Sequence, residues 1–294
     1  MLNTGLRKLG AVLLAAIMTL SLAACGGDDK AGGDKKETIT LGFIPSWTDG
    51  RSTAYLLANK LESMGYTVKM QELSEPGALY TGLSKGDIDM YPSAWSELTH
   101  KKYMDKYSKN IDDLGAYYDN AKLTWAVPEY SKIKSIEDIK KHSKELDKKI
   151  IGIEPGAGLT DISQKEVIPQ YGLNDFKLVT SSTTAMLAEL KSATKDKREI
   201  VVTLWRPFWA NSEFKVRDLE DPKGALGKSE ALHFLAHKGF KDKHPEVAEW
   251  VSKLKMNDEQ YGSLEDTVVN EYGEGKEKEA IKAWLEKNKD VLPE

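Results

Sequence analysis

The sequence predicts an α/β protein of two lobes, each a mainly parallel sheet flanked by helices, with a ligand cleft between the lobes. Three observations lead there. From about residue 38, short apolar runs rich in β-branched residues alternate with segments of helical periodicity. The same alternation restarts past the middle of the chain. Tryptophans and a Gly-Ala-Gly turn fall where apolar runs end, which is the ligand-bearing end of a parallel sheet. A length of 294 residues, 40% hydrophobic and 30% charged, suffices for two such cores. A formal net charge of −4, with acids and bases interspersed, offers no basic field for nucleic acid. The expected partners are small molecules or proteins.

In order, TITLGFI from Thr38 reads as a strand, RSTAYLLANKLESMG as a helix, TVKMQEL as a strand, GALYTGLSKG as a short helix and IDMYPSAW as a strand. A helix from about Glu97 to Tyr107 leads to the strand LTWAVPEY, which ends at a proline. The acidic stretch DDLGAYYD between them reads as turn and solvated surface, as does DLEDP later. The second round runs SIEDIKKH (helix), KKIIGIEPG (strand), a helix from about Thr160 to Tyr171, FKLVTSS (strand), TTAMLAELKSAT (helix) and EIVVTLW (strand). The strand LHFLAHKGF and the helices HPEVAEWVSKL and KEKEAIKAWLEKN close the chain, with Trp250 and Trp284 as core anchors beneath charged outer faces. The expected organisation is a first lobe of 38–127 and 230–294 and a second of 128–229.

Ahead of these lies an export signal. Arg7 and Lys8 precede GAVLLAAIMTLSLAA, a run short for a membrane span and right for a signal peptide. It ends in Leu-Ala-Ala-Cys with the chain's one cysteine, Cys25, so no disulfide within the chain is available. Residues 22–25 resemble the lipobox of bacterial lipoproteins. That implies a signal peptide over 1–24, a lipid on Cys25 and an extracytoplasmic protein anchored to the cell membrane. Residues 25–37, polar and Gly-rich, read as a flexible tether.

Trp47 follows the first strand, Trp95 follows IDMYPSA, and Trp205 ends EIVVTL. Core packing is one reading of this trio. The other is a cage, because indole faces hold a desolvated cation best, and a quaternary ammonium has no N–H for an ordinary acceptor. Trp209 either supports the cage or packs. The turn at 156–158 frees backbone amides that suit a carboxylate, although alone it reads as well as a plain tight turn. His100 alone reads as a surface or capping residue.

The blocks PSAWSELTHKKYMDKY, IIGIEPGAGL, TSSTTAMLAELK, IVVTLWRPFW and LEDPK resemble the glycine betaine-binding proteins of bacterial osmoprotectant ABC transporters, over essentially the whole chain from Thr38. The resemblance implies a type II periplasmic-binding-protein-like fold. It implies a prism of Trp47, Trp95 and Trp205 around a trimethylammonium head, and Gly158, Leu159 and His100 on the ligand carboxylate. It also implies a membrane permease and an ATPase as partners. Members of that family tend to carry Gly-Trp-Thr-Pro-His-Trp where this chain has LWRPFW, so Arg206 and Phe208 alter the rim, Arg206 either touching the carboxylate or facing solvent. Proline betaine, carnitine, choline and dimethylsulfoniopropionate are therefore alternative guests; choline lacks the carboxylate that the GAG turn and His100 would hold.

An exported enzyme and a metal-binding lipoprotein are the competing classes. No G-x-S-x-G, Walker A or HExxH sequence occurs. His233 and His237 have i,i+4 spacing, but on a strand that places them too far apart for an easy shared metal. Neither a catalytic residue, a metal nor a cofactor is expected.

Overall fold

Ile39, Leu41 and Phe43 alternate inward along Thr38–Phe43 and make it the strand β1. The structure is a computed structural model that describes residues 36–293, so the signal, lipid and most of the tether expected from the sequence lie outside the described residues. The remaining strands are β2 (Thr67–Glu72), β3 (Met90–Ala94), β4 (Ile111–Pro128), β5 (Lys149–Ile151), β6 (Lys177–Val179), β7 (Val202–Arg206), β8 (Val216–Asp218) and β9 (Glu230–His237). They stand in the order β2-β1-β3-β9-β4-β7-β5-β6, with β8 on β4. β1 runs parallel to β2 and β3, and β5 runs parallel to β6 and β7, which gives each lobe its parallel sheet.

Antiparallel strands join the two. β4 pairs with β9 from Ile111 to Ala121, then with β7 from Lys122 and with β8 from Ala126. One strand thus belongs to both sheets. The helices are α1 (Thr48–Ser63), α2 (Pro76–Lys85) and α3 (Lys101–Tyr107) before β4, and α4 (Gly158–Ile162), α5 (Ile168–Gln170) and α6 (Thr183–Asp196) between β5 and β7. After them come α7 (Ala210–Glu213), α8 (Phe240–Lys243), α9 (Pro245–Lys253), α10 (Asp258–Asp266) and α11 (Glu277–Lys287). Trp250 and Trp284 are buried under α9 and α11, as core anchors.

One local expectation is corrected and one refined. DDLGAYYD is no turn; it lies inside β4, whose register against β9 shifts between Asp113 and Gly115 and again around Tyr118. Gly115 takes φ 113° there, and its N–H donates to Asp113 Oδ1 at 2.8 Å. Such bulges break the period of two by which a strand is read from sequence. SIEDIKKH forms the expected helix, of the 3-10 kind over Ile136–His142, begun by Ser135, whose hydroxyl accepts from Glu137 N.

Candidate functional site

Strand ends build the site. Trp47 sits in the loop between β1 and α1, turned by its own N–H donating to Ile44 O at 3.0 Å. Trp95 directly follows β3, and Trp205 is the penultimate residue of β7, opposite Leu123 of β4. All three indoles line one cavity, together with Asp49, Thr99, His100, Leu123, Ile153, Ala157, Gly158 and Leu159. Its walls and mouth enclose about 330 Å³. The sequence-selected trio, the histidine and the GAG turn, drawn from four separate stretches of chain, therefore meet in one place.

The rings are set at definite angles. Trp47 stacks beside His100 with centroids 5.9 Å apart and planes 16° apart, and meets Trp205 at 6.5 Å and 62°. Trp205 is backed by Phe208, stacked at 4.0 Å. Phe208 is thus a buried support behind a wall of the cavity and not part of its rim. Trp209 packs on Phe208 and Phe214 outside the cavity. Arg206 also lies apart from the lining: its guanidinium grips Asp218 in a bidentate pair, Nε at 2.8 Å and Nη2 at 2.9 Å.

His100, 1% exposed, holds Nδ1 3.2 Å from the Tyr80 hydroxyl. Burial, reinforced by the nearby charge of Lys102, pulls its pKa down to about 3, so the ring is neutral at physiological pH. With the Tyr80 hydroxyl as donor to Nδ1, the neutral ring carries its proton on Nε2. The loop carrying His100 is pinned by Glu230, which accepts from the N–H groups of Leu98 (3.0 Å) and Thr99 (3.1 Å) and from the Thr99 hydroxyl. Gly158 opens α4, where first-turn amides have no intrahelical acceptor. It passes so close to that loop that a Cβ would sit 2.1 Å from Thr99 O, so only glycine fits.

Sequence reasoning missed four carboxylates. Asp49 lines the cavity, and its buried Oδ1 has no hydrogen-bond partner among the described residues. Burial pushes its carboxyl group up, and burial together with the charge of Asp49 does the same to Glu265, which accepts from the Thr48 hydroxyl at 2.5 Å. Glu154 accepts from the indole of Trp47, and Glu230 from the loop that carries His100. A Trp-x-Asp and a Glu-Pro-Gly-Ala-Gly were visible, but nothing in a charge pattern distinguishes a buried carboxylate from a solvated one. His233 and His237 have separate partners: His233 stands between Asp113 and Glu97, while His237 Nδ1 is 2.9 Å from Leu83 O.

Lobes meet across the cavity. Tyr103 of α3 donates to Gly156 O at 2.8 Å, Lys102 pairs with Asp161 of α4, and the Trp47 indole N–H donates to Glu154 Oε2 at 3.1 Å.

Residues 37–287 match the family described as the substrate binding domain of ABC-type glycine betaine transport systems. The glycine betaine/carnitine transport binding protein GbuC of Listeria monocytogenes is 36% identical over 154 residues, covering 51% of this chain and 49% of that protein. The chain thus spans about half the length of that curated relative. Among solved structures, lactococcal OpuAC in its closed-liganded conformation with glycine betaine is similar at a TM-score of 0.79 and 31% identity, over 87% of this chain and 98% of that one. An ABC-transporter choline binding protein in complex with choline is similar at 0.77 and 28%, over 86% and 89%.

Proposed function

The chain belongs to the family of substrate-binding domains of ABC-type glycine betaine transport systems, and from that premise we propose that it captures glycine betaine, with proline betaine as a second guest, for osmoprotective import. Trp47, Trp95 and Trp205 enclose the trimethylammonium head. His100 Nε2 and the amides of Gly158 and Leu159 take the carboxylate. The observation that carries this reading is that one cavity is lined by three indoles together with His100 and the turn at Gly158 and Leu159. A methylated zwitterion needs both, because its cation has no N–H to donate and its carboxylate accepts several hydrogen bonds.

Capture proceeds by lobe closure. Trp47, Trp95 and His100 belong to a first lobe of 38–127 and 230–294, whereas Trp205 and the GAG turn belong to a second of 128–229. A ligand touching both biases the equilibrium toward the closed form. That form docks on a membrane permease driven by an ATPase. The lipobox-like residues 22–25 support a lipid on Cys25 that keeps the protein extracytoplasmic and at the membrane surface. No bond is made or broken in this cycle, and the protein is a carrier rather than an enzyme.

Asp49 favours a second reading, choline. A carboxyl group among the lining residues can face a guest with a cation and no anion, and one similar protein is a choline binder. Calorimetric titration with glycine betaine, proline betaine, carnitine, choline, dimethylsulfoniopropionate and glycine separates the two. Saturable binding of the methylated zwitterions and none of glycine is expected. Choline binding tighter than glycine betaine would favour the second reading, and silence from every onium compound would end both.

A further inference from the structure

Glu154 is 5% exposed, yet no lysine or arginine among the described residues lies within ion-pairing reach of it. Four hydrogen bonds hold it instead, and their arrangement is regular. Oε1 accepts from Thr183 N at 2.9 Å and from the Ser46 hydroxyl at 3.2 Å. Oε2 accepts from the Thr183 hydroxyl at 2.8 Å and from the Trp47 indole N–H at 3.1 Å. Each oxygen thus takes one donor from the start of α6 and one from the loop between β1 and α1. The first pair lies on Glu154's own side of the cleft, and the second pair lies across it.

We propose that Glu154 is the latch of the cleft and the positioning residue for Trp47. It does not line the cavity, so it acts on a guest only through the indole it holds. Thr183 aims the carboxylate by two donors that persist when the lobes part. Closure then adds Ser46 and Trp47, and the second of these fixes the edge of a ring that is itself only partly buried. The wall of the cage is therefore placed by the same contact that shuts the cleft. Donation from the indole N–H to a carboxylate also enriches the π face that a cation meets on the other side of the ring.

Only a carboxylate fits this place. Both oxygens face one N–H that can only donate: Thr183 N at Oε1 and Trp47 Nε1 at Oε2. A glutamine turned either way sets its own NH2 against one of them, and the hydroxyls of Ser46 and Thr183 can relieve only the other contact. Near-isosteric replacement thus breaks the latch without changing its volume.

The proposal rests on the betaine reading for its kinetic arm, and its structural arm stands without it. In the full chain, Glu154→Gln is expected to speed release of glycine betaine about tenfold, read by stopped-flow tryptophan fluorescence. By small-angle X-ray scattering the ligand-free variant is expected to have a larger radius of gyration than the parent, with its denaturant midpoint unchanged. Release and radius equal to the parent's would overturn the latch. Ser46→Ala, which removes one donor from across the cleft, guards against a variant that fails to fold. It should speed release about twofold in the parent and not at all in the Glu154→Gln background; equal acceleration in both would overturn the coupling. If the parent itself binds no onium compound, the function fails, while the scattering comparison still decides the latch.

Discussion

Trp205 has a guest side and a supported side, since Phe208 stacks on it at 4.0 Å and the cavity lies opposite. Truncating it removes one cation–π face, worth roughly 1 to 2 kcal/mol in a desolvated cage, so Trp205→Ala should weaken glycine betaine by about tenfold or more in calorimetry. Trp95→Ala should do the same, and parent-like affinity in either would remove that residue from the cage. Asp49 and Glu265 make a pH prediction. Their folded pKa values are raised by burial and, for Glu265, by the charge of Asp49. The folded protein therefore holds these protons more tightly than the unfolded chain. Their contribution to stability is fully present below the ordinary carboxylate pKa of about 4 and is lost as pH rises through the raised values. Glu265→Gln should accordingly shrink the fall in ligand-free melting temperature between pH 5 and pH 8, and a fall as large as the parent's would contradict the assignment. These residues also mark where sequence ran out. Trp47, Trp95 and Trp205 stand out in the sequence as indoles at strand ends, with core packing an equal reading until the family resemblance is added, whereas Asp49, Glu154 and Glu230 look like any other acid until their burial is known.

At the scale of elements, α4 and the loop after Trp95 make the tightest approach in the site. A methyl group on Gly158 would sit 2.1 Å from Thr99 O, a backbone atom that cannot swing aside. The clash exists only across the cleft, so Gly158→Ala should cost about ten- to hundredfold in affinity while leaving the denaturant midpoint of the ligand-free protein near the parent's. An unchanged dissociation constant would show that the turn does not close on this loop. The βαβ rhythm of both lobes was readable from apolar runs and helical spacing, including the helices about α1 and α6, the latter capped by Ser182 accepting from Ala185 N at 3.1 Å. β4 was half hidden, since its bulges scramble the alternation over Asp112 to Tyr118 and its single-sequence signal begins only near Leu123. The 3-10 helix after Ser135 has a cap that reads identically for an α-helix, and it buries Ile136 and Ile139.

At the scale of the whole molecule, β4 is shared by both sheets and the indole-lined cavity lies among strand ends. β4 ties the two sheets together while the polar contacts of Tyr103, Lys102 and Glu154 reach across the mouth. Closure is then a balance between hydrogen bonds made across the cleft and those that water supplies when it opens, and a guest touching both lobes tips it. The most direct test is a crystal structure of the protein grown with glycine betaine. The trimethylammonium nitrogen should lie within about 6 Å of the ring centroids of Trp47, Trp95 and Trp205, with the carboxylate on His100 and the amides of Gly158 and Leu159. Density for the ligand outside this cavity, or within it with the carboxylate among the indoles, would contradict the cage.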